Sequence, residues 1–425
     1  MPNAARVLDL WRDPSFRQFW AGEAISLLGS QITALALPLS AVLLLDAGPA
    51  EMAILGLLSY LPFLVVTLPA GVWADRRRRR PLLLVANVGR AVALLAVPAG
   101  AWLGVLSLPL LYGVALVVGV LTVLFEVGYL AYVPHLVARH QLVDANARLQ
   151  ATASAAEVGG PGIGGLLIAA VGAPVAILID SASYLASAVL LLGISRGEPE
   201  PVAAGRPSDI VGDIRTGLRV TFSHPVLRAF ALAAASNNLA WQIVEVVLLI
   251  YATQVLRLDP LAIGTLFSVG ATGAVLGAVA AGSLGRLLGV GRTIAAAMLL
   301  CGAGTLLVPL ATPPSALGWA ILAVALFIGG FGNTISVVHV ITVRQTITPD
   351  DLLGRMNASY RTLTYGAIPV GAMIGGVLGE TIGLQATMAV GAVGVFLAPL
   401  WVLLSPVPGI RDAAAYPPVG SPGAA

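Results

Sequence analysis

The chain has 425 residues, of which 58% are apolar and only 10% are charged. A water-soluble domain carries about 25% charged residues, so this composition excludes an ordinary soluble protein and favours an integral membrane protein. The net charge of +3 would suit nucleic acid, but the positions of the charges decide against that partner below. The single cysteine, Cys301, excludes an intrachain disulfide, and four scattered histidines form no metal cluster.

Long apolar runs, separated by short polar or Gly- and Pro-containing breaks, predict twelve membrane-spanning helices. The predicted spans are 17–45, 52–74, 81–104, 107–133, 149–171, 174–195, 226–252, 260–284, 292–312, 316–343, 356–379 and 383–404. In lipid the backbone must be satisfied by helices or by a closed barrel, and runs this long without strict alternation exclude a barrel. The predicted fold is an all-α membrane protein.

The arginines predict the orientation of the chain. All 23 basic residues are arginines, and the run at 76–80 follows the second predicted span. When the spans are counted, the loop arginines fall on one side, and the opposite loops contain only Arg257. Because basic loops stay in the cytoplasm, we expect a multi-pass protein of the cell membrane with both termini cytoplasmic. The arginine run is a topological anchor, and no nucleic acid is needed to explain it.

The two halves of the chain repeat each other. DPSFRQFW at 13–20 resembles HPVLRAFA at 224–231, and Gln31-Ile32 returns as Gln242-Ile243, both at an offset of 211. Such an internal repeat predicts two pseudo-symmetric six-helix bundles.

The repeat also divides the chain into segments. We predict an N-terminal bundle at 1–195, a cytoplasmic linker at 196–224, a C-terminal bundle at 225–405 and a disordered cytoplasmic tail at 406–425. The linker is Pro- and Gly-rich at its start, which is typical of a loop, and its later part has an amphipathic pattern.

The arginine run belongs to the stretch GVWADRRRRR at 71–80. This stretch resembles the signature G-x-L-x-D-R-x-G-R-[RK] of the major facilitator superfamily, with Trp73 in place of Leu and Arg78 in place of the second glycine. The resemblance implies a cytoplasmic charge network that gates the conformational change. The residues that it assigns to this network are Gly71, Asp75, Arg76 and Arg79. The alternative is that these charges only cap and anchor helices.

A second stretch, AEVGGPGIGG at 156–165, lies in the fifth predicted span. It resembles the G-x-x-x-G-P-x-x-G-G motif of antiporter members of that superfamily, with Ala156 in place of the first glycine. The matching residues are Gly160, Pro161, Gly164 and Gly165. Small residues let helices approach closely and proline kinks a helix, so tight packing alone is the alternative. The resemblance implies export by exchange.

Two further stretches, SFRQFWAGEAISLLGSQI at 15–32 and FEVGYLAYVPHLV at 125–137, resemble the branch that contains macrolide efflux proteins and the enterobactin exporter. The resemblance implies the twelve-helix major facilitator fold. It also implies secondary active efflux of lipophilic drugs or secondary metabolites by alternating access, with no cofactor and no enzymatic reaction.

Ionisable side chains inside spans are expensive in lipid and therefore indicate function. Glu23, Arg90, Glu126 and Glu245 lie in the first, third, fourth and seventh predicted spans. In this architecture the first, fourth, seventh and tenth helices line the cavity, where a carboxylate can bind and release a proton as access alternates. These four residues are the predicted proton-coupling set. The alternative is a salt bridge of Arg90 that only holds helices together.

A mostly apolar cavity with a few polar groups suits amphipathic ligands. The predicted cavity residues are Gln31, Tyr129, Asn237, Asn238, Trp241, Gln242, Asn333 and His339. The expected partners are a small lipophilic substrate, protons and the lipid bilayer, and the chain is expected to be a monomer.

Other functions leave different traces in a sequence. A dedicated siderophore or metabolite exporter and a non-transporting membrane scaffold or sensor remain alternatives. An intramembrane enzyme is disfavoured because the sequence has no HExxH motif and no nucleophile elbow. An ATP-driven pump is disfavoured because no GxxxxGK[ST] loop occurs.

Overall fold

The computed structural model describes residues 10–67, 69–70, 78–138, 141–194, 210–313 and 315–412, and within these ranges the regular secondary structure is helical without strands. The helices are α1 Pro14–Leu44, α2 Pro49–Val65, α3 Arg79–Trp102, α4 Leu108–Leu136, α5 Leu142–Val171, α6 Ala173–Leu192, α7 Ile210–Ser223, α8 Pro225–Ile250 with a π turn Tyr251–Val255, α9 Pro260–Leu288, α10 Val290–Thr305, α11 Ser315–Ile347, α12 Asp350–Ile382, α13 Leu384–Leu397 and α14 Leu400–Leu403.

Local sequence signals fix several helix starts. Asp13 accepts a hydrogen bond from the Ser15 amide before α1 (2.8 Å), and Asp259 accepts one from the Ala262 amide before α9 (2.7 Å). The first amides of a helix lack intrahelical partners, so an aspartate at this position stabilises the start.

Within the described ranges, eleven helical segments are long and apolar enough to cross a membrane, and α2 is a shorter apolar helix of 17 residues. Large apolar side chains stand on the outer faces of these helices: Val92, Val189 and Val279 are 61%, 65% and 76% exposed. Such surfaces are unfavourable in water but suit contact with acyl chains. The predicted all-α membrane fold is confirmed; eleven of the twelve predicted spans coincide with described helices long enough to cross a membrane, and the second coincides with the shorter α2.

The chain forms two compact units. The N-terminal unit comprises Met1–Ala47, Leu58–Arg206 and Ile263–Thr265, and the C-terminal unit comprises Gly48–Leu57, Pro207–Ala262 and Leu266–Ala425. In the N-terminal unit α1 packs on α5 and α6, and α3 packs on α4 and α6. In the C-terminal unit α8 packs on α12 and α13, and α10 packs on α11 and α13. The contacts of α8 and α10 in the C-terminal unit therefore correspond to those of α1 and α3 in the N-terminal unit, as the internal repeat predicts.

The turns repeat at the same offset of 211. Asp46, after α1, and Arg257, after the π turn of α8, have φ of 51° and 52°, a left-handed conformation that is uncommon outside glycine. Gly172, between α5 and α6, and Gly383, between α12 and α13, have φ of 82° and 84°. Two pairs of turns that share both spacing and conformation support the origin of the two units from one template.

Residues 210–223 of the segment predicted as a linker form the helix α7. This helix lies close to α12, because a side chain in place of Gly217 would collide with the backbone carbonyl of Arg355. The close approach shows that one side of this amphipathic helix packs on α12.

Ordered structure also continues past residue 405, where the sequence predicted a disordered tail. The carbonyls of Ile410 and Arg411 accept hydrogen bonds from the amides of Gly291 (2.8 Å) and Val290 (3.2 Å) at the start of α10, and Ile410 is buried. The first amides of α10 thereby gain acceptors, which explains why 406–412 pack on the unit. Residues 413–425 lie outside the described residues.

Candidate functional site

Of the four predicted gating residues, only Arg79 lies among the described residues. Gly71, Asp75 and Arg76 lie outside the described residues, and their gating role stays a prediction. Arg79 is the first residue of α3.

The next arginine, Arg80, caps a neighbouring helix. It donates from Nε to the carbonyl of Leu191 (3.0 Å) and from Nη2 to the carbonyl of Leu192 (2.6 Å). These carbonyls end α6 and carry the partial negative charge of a helix C-terminus. For this arginine, helix capping accounts for the observed contacts.

The glycines of the fifth-span motif lie against α1. A side chain in place of Gly160 would collide with the Cβ and Cγ atoms of Gln31, and one in place of Gly164 would lie 3.3 Å from the Ile32 Cα. Pro161 lies inside α5 between them. The small residues therefore permit a close helix contact, which is the packing role that the sequence left open. Gly165 shares this helix, and the exchange role of the motif stays a prediction.

The C-terminal unit repeats this contact, and the sequence analysis missed it. A Cβ atom on Gly371 would lie 3.0 Å from the Gln242 Cβ, and one on Gly375 would lie 3.0 Å from the Ile243 Cα. Both glycines belong to the stretch GAMIGG, which stands 211 residues after GPGIGG. The same offset that relates Gln31 to Gln242 could have found it.

Arg90 is buried in the N-terminal unit, with 4% of its surface exposed. Its guanidinium lies 4.3 Å from the ring centre of Phe125 and 4.1 Å from that of Tyr184. Its Nη2 donates to Asn87 Oδ1, and Asn87 Nδ2 donates to Ser187 Oγ at 3.0 Å. Two aromatic faces and an amide oxygen stabilise the cation inside the bundle.

Glu23 lies in the same region. Its side chain is 7% exposed, and its carboxyl interacts electrostatically with the Arg90 guanidinium and with the Tyr129 hydroxyl. The Tyr129 ring stacks on Phe19 and Phe125 at centroid distances of 5.7 and 6.3 Å. The structure thus brings together two residues of the predicted coupling set, Glu23 and Arg90, with one predicted cavity residue.

A second buried carboxylate, Asp180 of α6, is absent from the predicted set. It is fully buried and accepts hydrogen bonds from Thr33 of α1 and from Ser183 (3.0 Å). The Tyr184 hydroxyl on the same helix shares a hydrogen bond of 2.8 Å with Ser30. An aspartate in an apolar span is visible in the sequence, but its partner Thr33 stands on a helix 147 residues earlier in the chain.

The remaining two carboxylates of the coupling set are less buried than Glu23. Glu126 of α4 is exposed, although its neighbour Phe125 faces Arg90. Glu245 of α8 is half-buried, and the Trp241 side chain one turn earlier lies within hydrogen-bond reach of its carboxylate. Their part in proton coupling stays a prediction.

The C-terminal unit contains two adjoining cavities. The larger, of about 350 Å³, has apolar walls that include Phe267 and Leu326, and four predicted substrate residues also line it. These four are Asn237, Asn238, Trp241 and Asn333. The smaller, of about 190 Å³, shares Asn237, Asn238, Cys301 and Asn333 with it. The structure therefore assembles half of the predicted cavity residues around one space.

The other predicted cavity residues lie outside the described lining of these two cavities. Gln31 and Gln242 occupy the helix contacts given above. His339 is buried in α11, its Nδ1 lies 2.9 Å from the Ile335 carbonyl, and its Nε2 faces Gly285 of α9. Their contact with substrate, like that of Tyr129, stays a prediction.

Comparison with known proteins decides the family. A family model described as a transmembrane secretion effector matches residues 8–420, almost the whole chain. The chain belongs to this family of the major facilitator superfamily.

Relatives and solved structures agree with this family assignment. The multidrug efflux pump Tap of Mycolicibacterium fortuitum is 28% identical over 393 residues, which cover 87% of this chain and 92% of that pump. The enterobactin exporter EntS of Citrobacter koseri is 24% identical over 400 residues, covering 92% and 91%. A solved bacterial homologue of the iron transporter ferroportin has a TM-score of 0.71 at 18% identity and covers 92% of this chain and 98% of its own, which supports the fold.

As a major facilitator, the chain is a multi-pass membrane transport protein for small molecules and not an enzyme. The resemblance to the drug-efflux branch of the superfamily is confirmed, because efflux pumps stand among its relatives.

Proposed function

We propose that this transporter exports small lipophilic compounds, drugs or secondary metabolites, by alternating access and in exchange for protons. The larger cavity of the C-terminal unit carries the proposal. Its volume of about 350 Å³ lies within the range of roughly 300–1,000 Å³ that is typical of ligand sites. Apolar walls with a few amides accept varied amphipathic bodies without fixing one shape.

The exchange of protons rests on Glu23. A carboxyl group that is buried beside a cation in a bundle can hold a proton in one state of access and release it when water reaches it in another. Arg90 supplies the nearby charge, so protonation of Glu23 changes the net charge of this region. A change of charge inside a bundle gives proton binding a direct influence on its packing.

The orientation proposed for the chain follows from its arginines. The basic loops predict that both termini lie in the cytoplasm and that the protein resides in the inner membrane of a bacterial cell. This orientation makes transport from the cytoplasm to the outside an export reaction.

A dedicated exporter of one siderophore or metabolite is the second candidate. It is favoured by the similarity to the enterobactin exporter, which covers 92% of the chain. The two candidates differ in selectivity: a multidrug pump protects against several unrelated compounds, whereas a dedicated exporter handles one chemical class.

The test is a susceptibility screen in a bacterial host that lacks its own pumps. A panel of cationic, neutral and anionic amphipathic compounds is compared for wild type, Glu23→Gln and the control Glu380→Gln, which alters an exposed carboxylate at the end of α12. We expect wild type and the control to protect equally and Glu23→Gln to lose most protection at equal expression. Protection by Glu23→Gln equal to wild type would contradict proton coupling through this residue. Failure of wild type to protect against any compound would contradict multidrug export.

A further inference from the structure

Arg344 is a buried cation that the sequence placed in a loop after the tenth span. It lies instead in the last turn of α11 and is 7% exposed. Its guanidinium lies 3.4 Å from the ring centre of Tyr360, and its Nη2 donates to Asn357 Oδ1, so two residues of α12 hold it in place. Stacking and a hydrogen bond fix the plane of the guanidinium before any ligand arrives.

The donors of Arg344 are not all used. Among the described residues, its buried Nε has no hydrogen-bond partner. A buried N–H without an acceptor is unfavourable. The guanidinium therefore keeps donor capacity beyond its bond to Asn357.

The smaller cavity lies against this guanidinium. Its polar lining includes Arg344, Tyr360, Thr364 and the asparagines of the shared wall. Arg344 is the only charged residue among the described lining residues of either cavity, and none of them is acidic. The local charge therefore favours an anion.

The two adjoining cavities offer different surroundings to the two ends of a ligand. Phe230 of α8 lines the smaller cavity, together with Arg344. Trp241, about three turns later on α8, lines only the larger, more apolar cavity. The positive charge of Arg344 thus attracts an anionic head to the smaller cavity, and the apolar body extends toward Trp241 in the larger one.

We propose that Arg344 and the asparagines around it form a subsite for the oxyanion group of a lipophilic monoanion, such as an aryl sulfonate or carboxylate, whose apolar body occupies the larger cavity. The inference rests on the proposed export function and names its substrate class. A planar guanidinium matches a carboxylate or sulfonate through parallel N–H donors, and the asparagine amides supply further donors.

The test uses a matched pair of probes with one apolar body: naphthalene-2-sulfonate, which is anionic, and naphthalene-2-sulfonamide, which is neutral. Binding to the full chain in phosphatidylcholine nanodiscs is measured by calorimetry. We expect wild type to bind the sulfonate at least about tenfold tighter than the sulfonamide. Arg344→Met should weaken sulfonate binding by about ten- to hundredfold, the effect of losing a charged hydrogen bond, and leave sulfonamide binding within about twofold. Arg286→Met, which changes an exposed arginine of α9, should alter neither.

A second variant guards against a folding defect. Asn333→Asp leaves Arg344 and its α12 partners intact and adds a negative charge to the shared wall, so it should weaken only the sulfonate, by about tenfold or more. Equal affinity of wild type for both probes, or unchanged sulfonate binding by both variants, would overturn the subsite.

Anionic lipid is the other source of an oxyanion. Sulfonate affinity in phosphatidylglycerol nanodiscs should match that in phosphatidylcholine, whereas a tenfold loss would show that a lipid headgroup occupies the subsite and would overturn the substrate assignment. A different result would refute the proposed export function while leaving the subsite intact: the sulfonate would bind as expected but would not cross the membrane of proteoliposomes. If panel compounds are exported while the sulfonate binds no better than the sulfonamide, only the subsite is refuted.

Discussion

Two adjacent glycines of α5 allow a direct test of the close contact between α1 and α5. Gly160 faces Gln31, whereas Gly159 faces open space with no atom within 4 Å of an added Cβ. The same substitution, glycine to alanine, should therefore have opposite effects at neighbouring positions of one helix.

The magnitudes follow from the geometry. The added Cβ at position 160 would lie 2.7 Å from the Gln31 Cγ and closer still to its Cβ, so the helices must separate by roughly 1 Å to restore ordinary contact. Such overpacking costs about 1–3 kcal/mol, against a gain of about 0.5–1 kcal/mol from the helix preference of alanine over glycine. Gly159→Ala gains the helix preference of alanine without the cost of overpacking, because no atom lies within 4 Å of the added Cβ. We expect Gly160→Ala to be destabilised by about 0–2.5 kcal/mol and Gly159→Ala to be stabilised by about 0.5–1 kcal/mol.

The assay is thermal inactivation in detergent, followed as the fraction of protein that stays monodisperse in size-exclusion chromatography. Wild type should lie between the two variants, with Gly160→Ala losing several degrees. Equal midpoints for the two variants, or a higher midpoint for Gly160→Ala, would refute the close packing of α5 on α1.

Three further predictions concern the ends of helices. Arg80→Ala removes two charge-assisted hydrogen bonds to the end of α6 and should destabilise the protein by about 1–3 kcal/mol, measured by the same thermal assay; a midpoint equal to wild type would contradict capping. Gly383→Ala and Gly172→Ala should each cost about 1–3 kcal/mol, because their φ above 80° combined with ψ near 160° is a conformation that only glycine adopts without strain; losses that differ strongly would show that packing rather than the backbone decides. Burial lowers the pKa of His224, which precedes α8, so the unfolded state binds more protons and stability should fall as the pH drops below about 6.5. In His224→Gln the thermal midpoint should depend less on pH between about 5 and 7 than in wild type. The control His135→Gln, which changes an exposed histidine, should show the pH dependence of wild type. Equal pH dependence of the two variants would contradict the role of His224.

The architecture was accessible from the sequence because its signals are local or strictly repeated. Length and apolarity of the runs predict the spans, and the offset of 211 between Gln31 and Gln242 predicts equivalent contacts in the two units. The stretch GAMIGG carries the same information and needed only to be compared at that offset.

The faces of the helices were not accessible in the same way. α4 is apolar around its whole circumference, so periodicity does not tell which side faces the bundle, and the exposure of Glu126 could not be deduced. The depth of Arg344 was misjudged because polar residues after Val343 suggested the end of a span. Its burial depends on Tyr360 of the next helix, a tertiary contact without a local signal. The hydrogen bond from Thr33 of α1 to Asp180 of α6 was missed for the same reason.

Proton movement during transport tests the central claim most directly. Wild type and Glu23→Gln are reconstituted into liposomes with trapped pyranine, a gradient of a compound from the susceptibility screen is imposed, and the lumenal pH is followed. Exchange predicts that protons move opposite to the compound in wild type and that Glu23→Gln abolishes this movement. Passage of the compound through wild type with no change in lumenal pH would contradict proton-coupled export.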